Sequence, residues 1–251
     1  MIALLPVPGL PLVAAGDDLA GLVLARVAAT GQALATGDVV VVAQKIVSKA
    51  EGRLVALATV TPGEAAIDWS RRLGKDARLL QLILDESVRI VRHRAPGLII
   101  CEHRLGHVMA NAGIDQSNVT GDDEHALLLP ADPDASSRAL RLALEAATGQ
   151  RLGVIVADSF GRPWRIGVTG VAIGVSGLPA VIDRRGAPDL FGRPLRTTDI
   201  GIADEIASAA SLLMGQADEA CPVVVVRGLD LPFDDAGMRG ALRSPDEDLF
   251  R

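Results

Sequence analysis

The sequence contains few of the residues on which several classes of protein depend. Tyrosine is absent and aromatic residues make up 2% of the 251 residues, so the base-stacking surfaces of single-strand nucleic-acid binders are not expected. The formal net charge of −6 also argues against a nucleic-acid partner, which requires a basic face. A locally basic cleft is still compatible with this negative net charge, because six arginines lie within positions 162–196.

Metal-binding and membrane-spanning signatures are missing as well. The two cysteines, Cys101 and Cys221, have no CxxC spacing, and the four histidines form no HExxH motif, so we predict buried reduced thiols and structural or surface histidines rather than a zinc site. No uninterrupted apolar run approaches the ~20 residues of a membrane helix. Prolines interrupt the apolar N-terminus, which lacks the basic region of a signal peptide. We therefore expect a cytoplasmic protein without a membrane partner.

Hydrophobic patterning predicts an α+β fold with a mixed β-sheet and packed helices. Valine- and isoleucine-rich runs predict buried strands at 39–43, 153–157 and 222–227, with weaker candidates at 2–5, 98–101 and 168–175. Helical periodicity covers 19–29, 64–73, 75–86, 136–148 and 203–214. The polar, glycine-rich connections around 104–125 and 176–200 are long enough to suggest function. We expect one domain over residues 1–251, with two joined lobes whose boundary is open.

Two aspartates are candidates for a metal site built from oxygen ligands. Asp115 lies in the oxygen-rich segment 111–118, and Asp158 directly follows the predicted strand 153–157, with Ser159 beside it. The carboxyl end of such a strand is where α/β proteins commonly bind ligands. Carboxylate and hydroxyl oxygens suit Mg²⁺ or Mn²⁺. The alternatives are an Asx-turn at Asp115 and a cap at Asp158.

Two further segments carry charge near predicted element ends. Lys45 and Lys49 follow the first strand at a spacing of four and could bind phosphate as point charges, or form a solvated basic turn. No GxxxxGK[ST] loop occurs in the chain. Asp218 and Glu219 lie just beyond the last predicted helix, where the helix dipole disfavours carboxylates. They indicate either a basic or metal partner or an exposed loop.

The pattern Asp-x-Phe-Gly-Arg-Pro-x-Arg occurs at 158–165 and again at 189–196. Two copies do not define a repeat architecture. Coincidence between two Gly-Pro turns is one interpretation, and a pair of arginine-bearing turns that face anionic groups is the other. The residues alone thus indicate an enzyme with a metal site and phosphate contacts, and they do not identify a substrate.

Taken in order, these segments resemble the coenzyme F420-0:L-glutamate ligase family, also called F420:γ-glutamyl ligase. The resemblance covers nearly the whole chain. It rests on PGLP at 8–11, GDVVVVAQKIVSKAEGR at 37–53, GIDQSN at 113–118, DSFGR at 158–162, GAPDLFG at 186–192, MGQAD at 214–218, VRG at 226–228 and DLFR at 248–251. Some relatives carry a further C-terminal flavin-binding domain. This chain resembles the stand-alone form of the family.

The resemblance implies roles for individual residues. Asp115 and Asp158 match the catalytic, metal-binding aspartates, and Ser159 matches a contact to a second metal ion. Gln44 stands where some relatives have serine, and Leu12 where an acidic residue is frequent. The positions that match nucleotide contacts are Gly9, Leu10, Pro11, Leu12, Gln44, Lys49, Asn118, Met214, Gly215, Gln216, Ala217, Asp218 and Glu219.

The implied reaction is GTP-dependent amide synthesis with Mg²⁺ or Mn²⁺ and room for a monovalent cation. A carboxylate of F420-0 would attack the γ-phosphate of GTP, and the amine of L-glutamate would displace phosphate from the acyl phosphate; a second, γ-linked glutamate could follow. The resemblance also implies a homodimer. Two alternatives are a metal-dependent GTP phosphohydrolase of other specificity and a non-catalytic nucleotide-sensing module. The repeated arginines 162, 165, 193 and 196 are candidates to hold the phosphodiester of the precursor.

Overall fold

The computed structural model describes residues 1–244 and 246–248. Residues 249–251 of the closing DLFR motif lie outside this described part. Within it, twelve strands and six α-helices follow one another along the chain. The strands are β1 (Ala3–Pro6), β2 (Val39–Ala43), β3 (Leu54–Ala56), β4 (Ser87–Arg94), β5 (Leu98–His103), β6 (Val108–Ala110), β7 (His125–Leu127), β8 (Gly153–Arg162), β9 (Arg165–Ser176), β10 (Ile182–Asp183), β11 (Asp199–Ile200) and β12 (Val223–Arg227). The helices are α1 (Leu19–Ala29), α2 (Gln44–Ala50), α3 (Glu64–Leu73), α4 (Ala77–Asp85), α5 (Pro133–Thr148) and α6 (Ile202–Met214).

The largest sheet has five strands in the order β1-β12-β2-β8-β9. Strands β2 and β8 run parallel, and the other neighbours are antiparallel. Both faces of the sheet are covered, which explains the unbroken valine runs of its central strands. Val40 and Val42 pack in the cluster that includes α1 and α5, whereas Val39 and Val41 pack in the cluster that includes α6. The predicted mixed sheet and α+β class are confirmed.

Strand β9 forms one edge of this sheet, and the first turns of two helices cover it. The carboxylate of Asp204 in α6 accepts a hydrogen bond from the backbone N–H of Ala172 at 2.9 Å, and that of Asp134 in α5 accepts one from Val175 at 2.9 Å. A Cβ atom on Gly174 would lie 2.2 Å from the carbonyl oxygen of Pro133. These contacts occupy backbone groups that an edge strand would otherwise expose, and they fix β9 against β8.

A second set of elements packs around its own core. Strands β4, β5 and β6 form an antiparallel sheet, and β3 pairs with β7. Helices α3 and α4 bury residues against β5 and β7 in a separate hydrophobic cluster, which includes Leu80, Ile83, Ile99 and Ala126. Two joined lobes within one domain remain our prediction for the chain as a whole.

Several predicted elements match the observed bounds and others differ. β2, α1 and α3 occupy the predicted residues. Helix α5 begins three residues before its predicted start, because Asp132 caps it and Pro133 takes the first position. The interpretation of Lys45 and Lys49 as a basic turn was wrong, since both lie in α2. None of the helices in the described ranges combines the length and apolar character needed to cross a membrane.

Candidate active site

Four segments meet at one edge of the five-stranded sheet. Because β2 and β8 are parallel, their carboxyl ends lie together. The chain enters α2 directly after β2, and β8 carries Asp158 just beyond its register pairing with β2. The loop 113–118 and the loop that follows α6 complete the site. Asp115 is held in place by a backbone bridge to Leu127 of β7.

Together with the turn at residues 10–13, these segments line a cavity of about 560 Å³. This volume falls within the ~300–1,000 Å³ of typical small-molecule sites. Most of the residues predicted to contact a nucleotide line it, together with Asp158 and Ser159. The predicted lining residues are Leu10, Pro11, Leu12, Gln44, Lys49, Asn118, Met214, Gly215, Gln216, Ala217, Asp218 and Glu219.

Two predicted residues do not line this larger cavity. Asp115 lines an adjoining smaller cavity of about 230 Å³, whose wall also includes Asp158 and Ser159. Gly9 directly precedes the lining turn 10–12. Its φ of 77° is left-handed, and a Cβ there would lie 2.7 Å from the guanidinium of Arg26. Arg26 Nε donates to the Pro8 carbonyl at 3.1 Å, so this glycine supports the shape of the turn.

Asp115 and Asp158 form a pair of carboxylates, and Lys45 supplies a cation to Asp115. Gln44 Nε2 donates to Asp115 Oδ2 at 3.1 Å, and Lys45 Nζ lies 3.3 Å from the same oxygen. Burial raises the pKa of Asp115. Desolvation by the surrounding protein, followed by the charge on Asp115, raises the pKa of Asp158 to about 7. Two carboxylates in such a setting favour either a retained proton or a bound cation.

The donor set fits a hard divalent cation. Asp115 and Asp158 supply carboxylate oxygens, and the exposed Ser159 supplies a hydroxyl at the rim. Within the described residues, no three His, Cys, Asp or Glu side chains cluster closely enough to hold a metal by themselves. Mg²⁺ suits a site of this kind because it commonly binds one or two carboxylates and completes its shell with phosphate oxygens and water.

Helix α2 directs two ammonium groups towards the loop that carries Asp115. Lys45 Nζ donates to the carbonyl of Ser117 at 3.0 Å, and one turn later Lys49 Nζ donates to the carbonyl of Asn118 at 3.2 Å. Burial, followed by the charge on Lys45, lowers the pKa of Lys49. The two cations therefore stand side by side at the cavity, where an anionic ligand would relieve their repulsion.

Asn118 joins the two loops that flank the larger cavity. Its backbone is left-handed, with φ of 56°, and its Nδ2 donates to the carbonyl of Ala217 at 2.9 Å. The second loop is stabilised internally, because the carboxylate of Glu219 accepts from the N–H of Ala217 at 2.8 Å. This local hydrogen bond stabilises the carboxylate of Glu219 beyond the end of α6.

Lys45 was predicted from the sequence only as a possible phosphate contact, and the resemblance gave it no role. It borders both cavities and contacts Asp115, yet the resemblance assigned a contact only to Lys49. The i, i+4 spacing of the two lysines would have identified it if 44–50 had been predicted as a helix. Gln44, predicted to contact a nucleotide, already binds Asp115 through its amide nitrogen and Ser48 through its amide oxygen.

The two copies of the arginine pattern adopt different structures. The first lies in the β8–β9 hairpin, where Arg162 pairs across the strands with Arg165. The second is a loop in which the Asp189 carboxylate accepts from the N–H groups of Phe191 and Arg193 at 2.8 and 2.9 Å. The pattern is therefore not a structural repeat. All four of its arginines are exposed.

Comparison with known proteins gives one family and a set of similar relatives. The family described as F420-0:Gamma-glutamyl ligase matches residues 9–228. A "Coenzyme F420:L-glutamate ligase" of Methanothermobacter thermautotrophicus is 47% identical over 252 residues, which cover 100% of this chain and 99% of the relative. Proteins of the same name from Methanocaldococcus jannaschii and Archaeoglobus fulgidus are 45% and 44% identical, over 86% and 100% of this chain and 85% and 96% of their own lengths.

Proposed function

The chain belongs to the F420-0:Gamma-glutamyl ligase family and is a ligase, and from this premise we propose that it joins L-glutamate to coenzyme F420-0 with consumption of GTP. The observation that carries the proposal is that Asp158 and Ser159 border both cavities, while Asp115 lines the smaller one beside the ammonium group of Lys45. A ligase of this type must bring a nucleotide, an acceptor and an amine to one point, and this arrangement supports that requirement.

The larger cavity would bind GTP. Its volume suits a nucleotide, and Lys45 and Lys49 would bind the phosphates as point charges. Asn118, tied to the loop after α6, would orient that loop over the nucleotide. The net effect is a positively charged phosphate site without a Walker A loop.

Asp115, Asp158 and Ser159 would hold Mg²⁺ or Mn²⁺. When bound, such an ion neutralises charge on the phosphoryl group being transferred. The protein's part is to keep the two carboxylates close and desolvated. Gln44 serves this purpose because its amide nitrogen holds one oxygen of Asp115.

The reaction requires no covalent enzyme intermediate. A carboxylate oxygen of F420-0 attacks the γ-phosphorus of GTP, the bond to GDP breaks, and an acyl phosphate forms. The amine of L-glutamate then attacks the acyl carbon, the C–N bond forms, and phosphate leaves with the amine proton. The chain holds the reactants, excludes water and supplies fixed charge. The γ-carboxylate of the added glutamate could enter the same position for a second addition.

We also propose a cytoplasmic homodimer. The tip of the β8–β9 hairpin and the loop 186–196 expose large apolar side chains. Trp164 is 83% exposed, Ile166 102%, Leu190 98% and Phe191 85%. Exposed apolar groups in such number commonly mark an interaction surface, and a second copy of the chain would cover them.

The test is mass spectrometry of F420-0 incubated with enzyme, GTP, L-glutamate and Mn²⁺. We expect a product heavier by one or more glutamyl units, which is lost with Asp158→Ala. Asp68→Ala is the matched control, because Asp68 is an exposed aspartate of α3 that forms an ion pair with Arg71. GTP turnover without a mass gain would support a phosphohydrolase instead, and nucleotide binding without turnover would support a sensing module.

A further inference from the structure

The smaller cavity adjoins the larger one and shares part of its wall. Lys45, Asp158, Ser159 and Gln216 border both. The rest of its lining comes from residues 109–117 and from the outer part of β8. A molecule in the smaller cavity would therefore meet the phosphate end of a nucleotide in the larger one at this shared border.

A strained turn forms part of the wall of the smaller cavity. Asn111, Ala112 and Gly113 have consecutive φ values of 52°, 52° and 72°. A left-handed conformation is unfavourable for alanine, and residues held in it concentrate at functional sites. The strain is maintained by packing, because Ala112 is fully buried and a Cβ on Gly113 would lie 2.8 Å from Leu129.

This turn presents a polar group that the protein does not use. Asn111 lines the smaller cavity and is only partly buried. Among the described residues, its side-chain amide has no hydrogen-bond partner. In the same lining, Lys45 is the one cationic side chain among the described residues, with the hydroxyl of Ser117 3.5 Å from its Nζ. The cavity thus offers an amide, a hydroxyl and an ammonium to the carboxylates of a small ligand. Asp115 and Asp158 line it too, and a metal ion or an amino group on the ligand would balance their charge.

Size restricts the ligand further. The volume of about 230 Å³ lies below the ~300–1,000 Å³ of drug-sized sites. A nucleotide or a deazaflavin would not fit, whereas a small amino acid with a side-chain carboxylate would. Among the three proposed reactants, only the amino acid has this size.

We propose that the smaller cavity binds L-glutamate and that Asn111 recognises one of its carboxylates. This inference rests on the proposed ligase function. The amine of the bound glutamate would face the shared border, where it attacks the acyl carbon. The C–N bond forms as the C–O bond to phosphate breaks, and the amine proton leaves with the phosphate.

Two asparagines allow a matched test. Asn111 and Asn118 both have left-handed backbones and border different cavities. Glycine tolerates this conformation, so Asn111→Gly and Asn118→Gly each remove an amide without forcing the backbone. For Asn111→Gly we expect KM for L-glutamate to rise about tenfold or more, as for loss of a hydrogen bond to a charged group, with KM for GTP unchanged. Asn118→Gly should raise KM for GTP alone.

Asn111→Asp gives a second measurement, because it keeps the shape and the left-handed preference but places a negative charge beside the ligand. We expect it to weaken glutamate binding more than Asn111→Gly does, measured by calorimetry with a non-hydrolysable GTP analogue. If the wild-type enzyme is active and both Asn111 variants have the same KM for L-glutamate as the wild type, the inference is overturned and the ligase function still stands. A wild-type enzyme that forms no glutamylated product would overturn both.

Discussion

Replacement of Lys45 by methionine should separate catalysis from nucleotide binding. The side chain bridges the two cavities, and its Nζ lies 3.3 Å from Asp115 Oδ2. At an effective dielectric constant of about 20, unit charges at this distance attract by about 5 kcal/mol. Desolvation of both groups offsets much of this energy, because each side chain is less than one-third exposed.

The same ammonium would stabilise charge that develops on the transferring phosphoryl group. Removal of one preorganised stabilising group typically lowers kcat by about 10²–10³-fold, so we expect a loss of this size for Lys45→Met. Lys49→Met is the matched variant one turn along α2. Its Nζ contacts the carbonyl of Asn118 and, in the part of the chain that the structure describes, no carboxylate, so we expect mainly a higher KM for GTP. Lys45→Arg should recover part of the rate because it retains the positive charge.

The assay is steady-state GDP release and product formation with GTP and L-glutamate varied separately. Thermal unfolding of each variant controls for the loss of the Asp115 contact. A Lys45→Met enzyme with normal kcat and only a raised KM for GTP would refute the assignment. Lys45 would then be a nucleotide contact equivalent to Lys49.

Two further predictions concern stability. Gly174→Ala should lower the free energy of unfolding by about 3 kcal/mol, because the new Cβ would lie 2.2 Å from the Pro133 carbonyl oxygen. The control Gly240→Ala, whose Cβ would have no atom within 4 Å, should change it by less than ~0.5 kcal/mol. Equal midpoints of urea unfolding for the two variants would contradict this prediction. The hydrogen bond with His103, followed by nearby arginine charges, lowers the pKa of Glu86 to about 2. A carboxyl group with a lowered pKa stabilises the fold at pH values above its ordinary pKa, and this stabilisation is lost as the pH falls towards 2. The difference in free energy of unfolding between wild type and Glu86→Gln should therefore shrink from pH 6 to pH 2.5 in urea titrations. A constant difference over this range would contradict the prediction.

Local patterns were sufficient to predict the central elements of the fold. The valine run of β2 and the periodicity of α1 and α3 predicted their observed bounds, because burial and local capping decide these segments. Strand β8 was predicted only to residue 157. Its extension to Arg162 is only partly buried and is stabilised by pairing with β9 rather than by an apolar pattern.

Elements without a conventional signal were missed. Helix α2 starts directly after β2, has no side-chain cap and spans only seven residues. β4 was missed because several of its residues are exposed arginines, and its pairing with β5 defines it as a strand. In both cases tertiary context outweighs local propensity.

The candidate site was predictable only in part. An aspartate after a buried strand identified Asp158, but the contact between Gln44 and Asp115 joins residues 71 positions apart. Local sequence carries no information about such a contact. The smaller cavity was likewise unpredictable, because it depends on the left-handed turn at Asn111 and Ala112. Alanine gives no sign in the sequence that it adopts this conformation.

The central claim is that phosphate is transferred to the acceptor carboxylate before the amide forms. The most direct measurement is the mass-spectrometric assay repeated with F420-0 labelled with ¹⁸O in that carboxylate. The account predicts that each glutamylated product is accompanied by inorganic phosphate carrying one ¹⁸O atom, since the acyl C–O bond breaks when the amine attacks. Unlabelled phosphate, or label introduced only from H₂¹⁸O, would show that GTP is hydrolysed by water and would contradict the account.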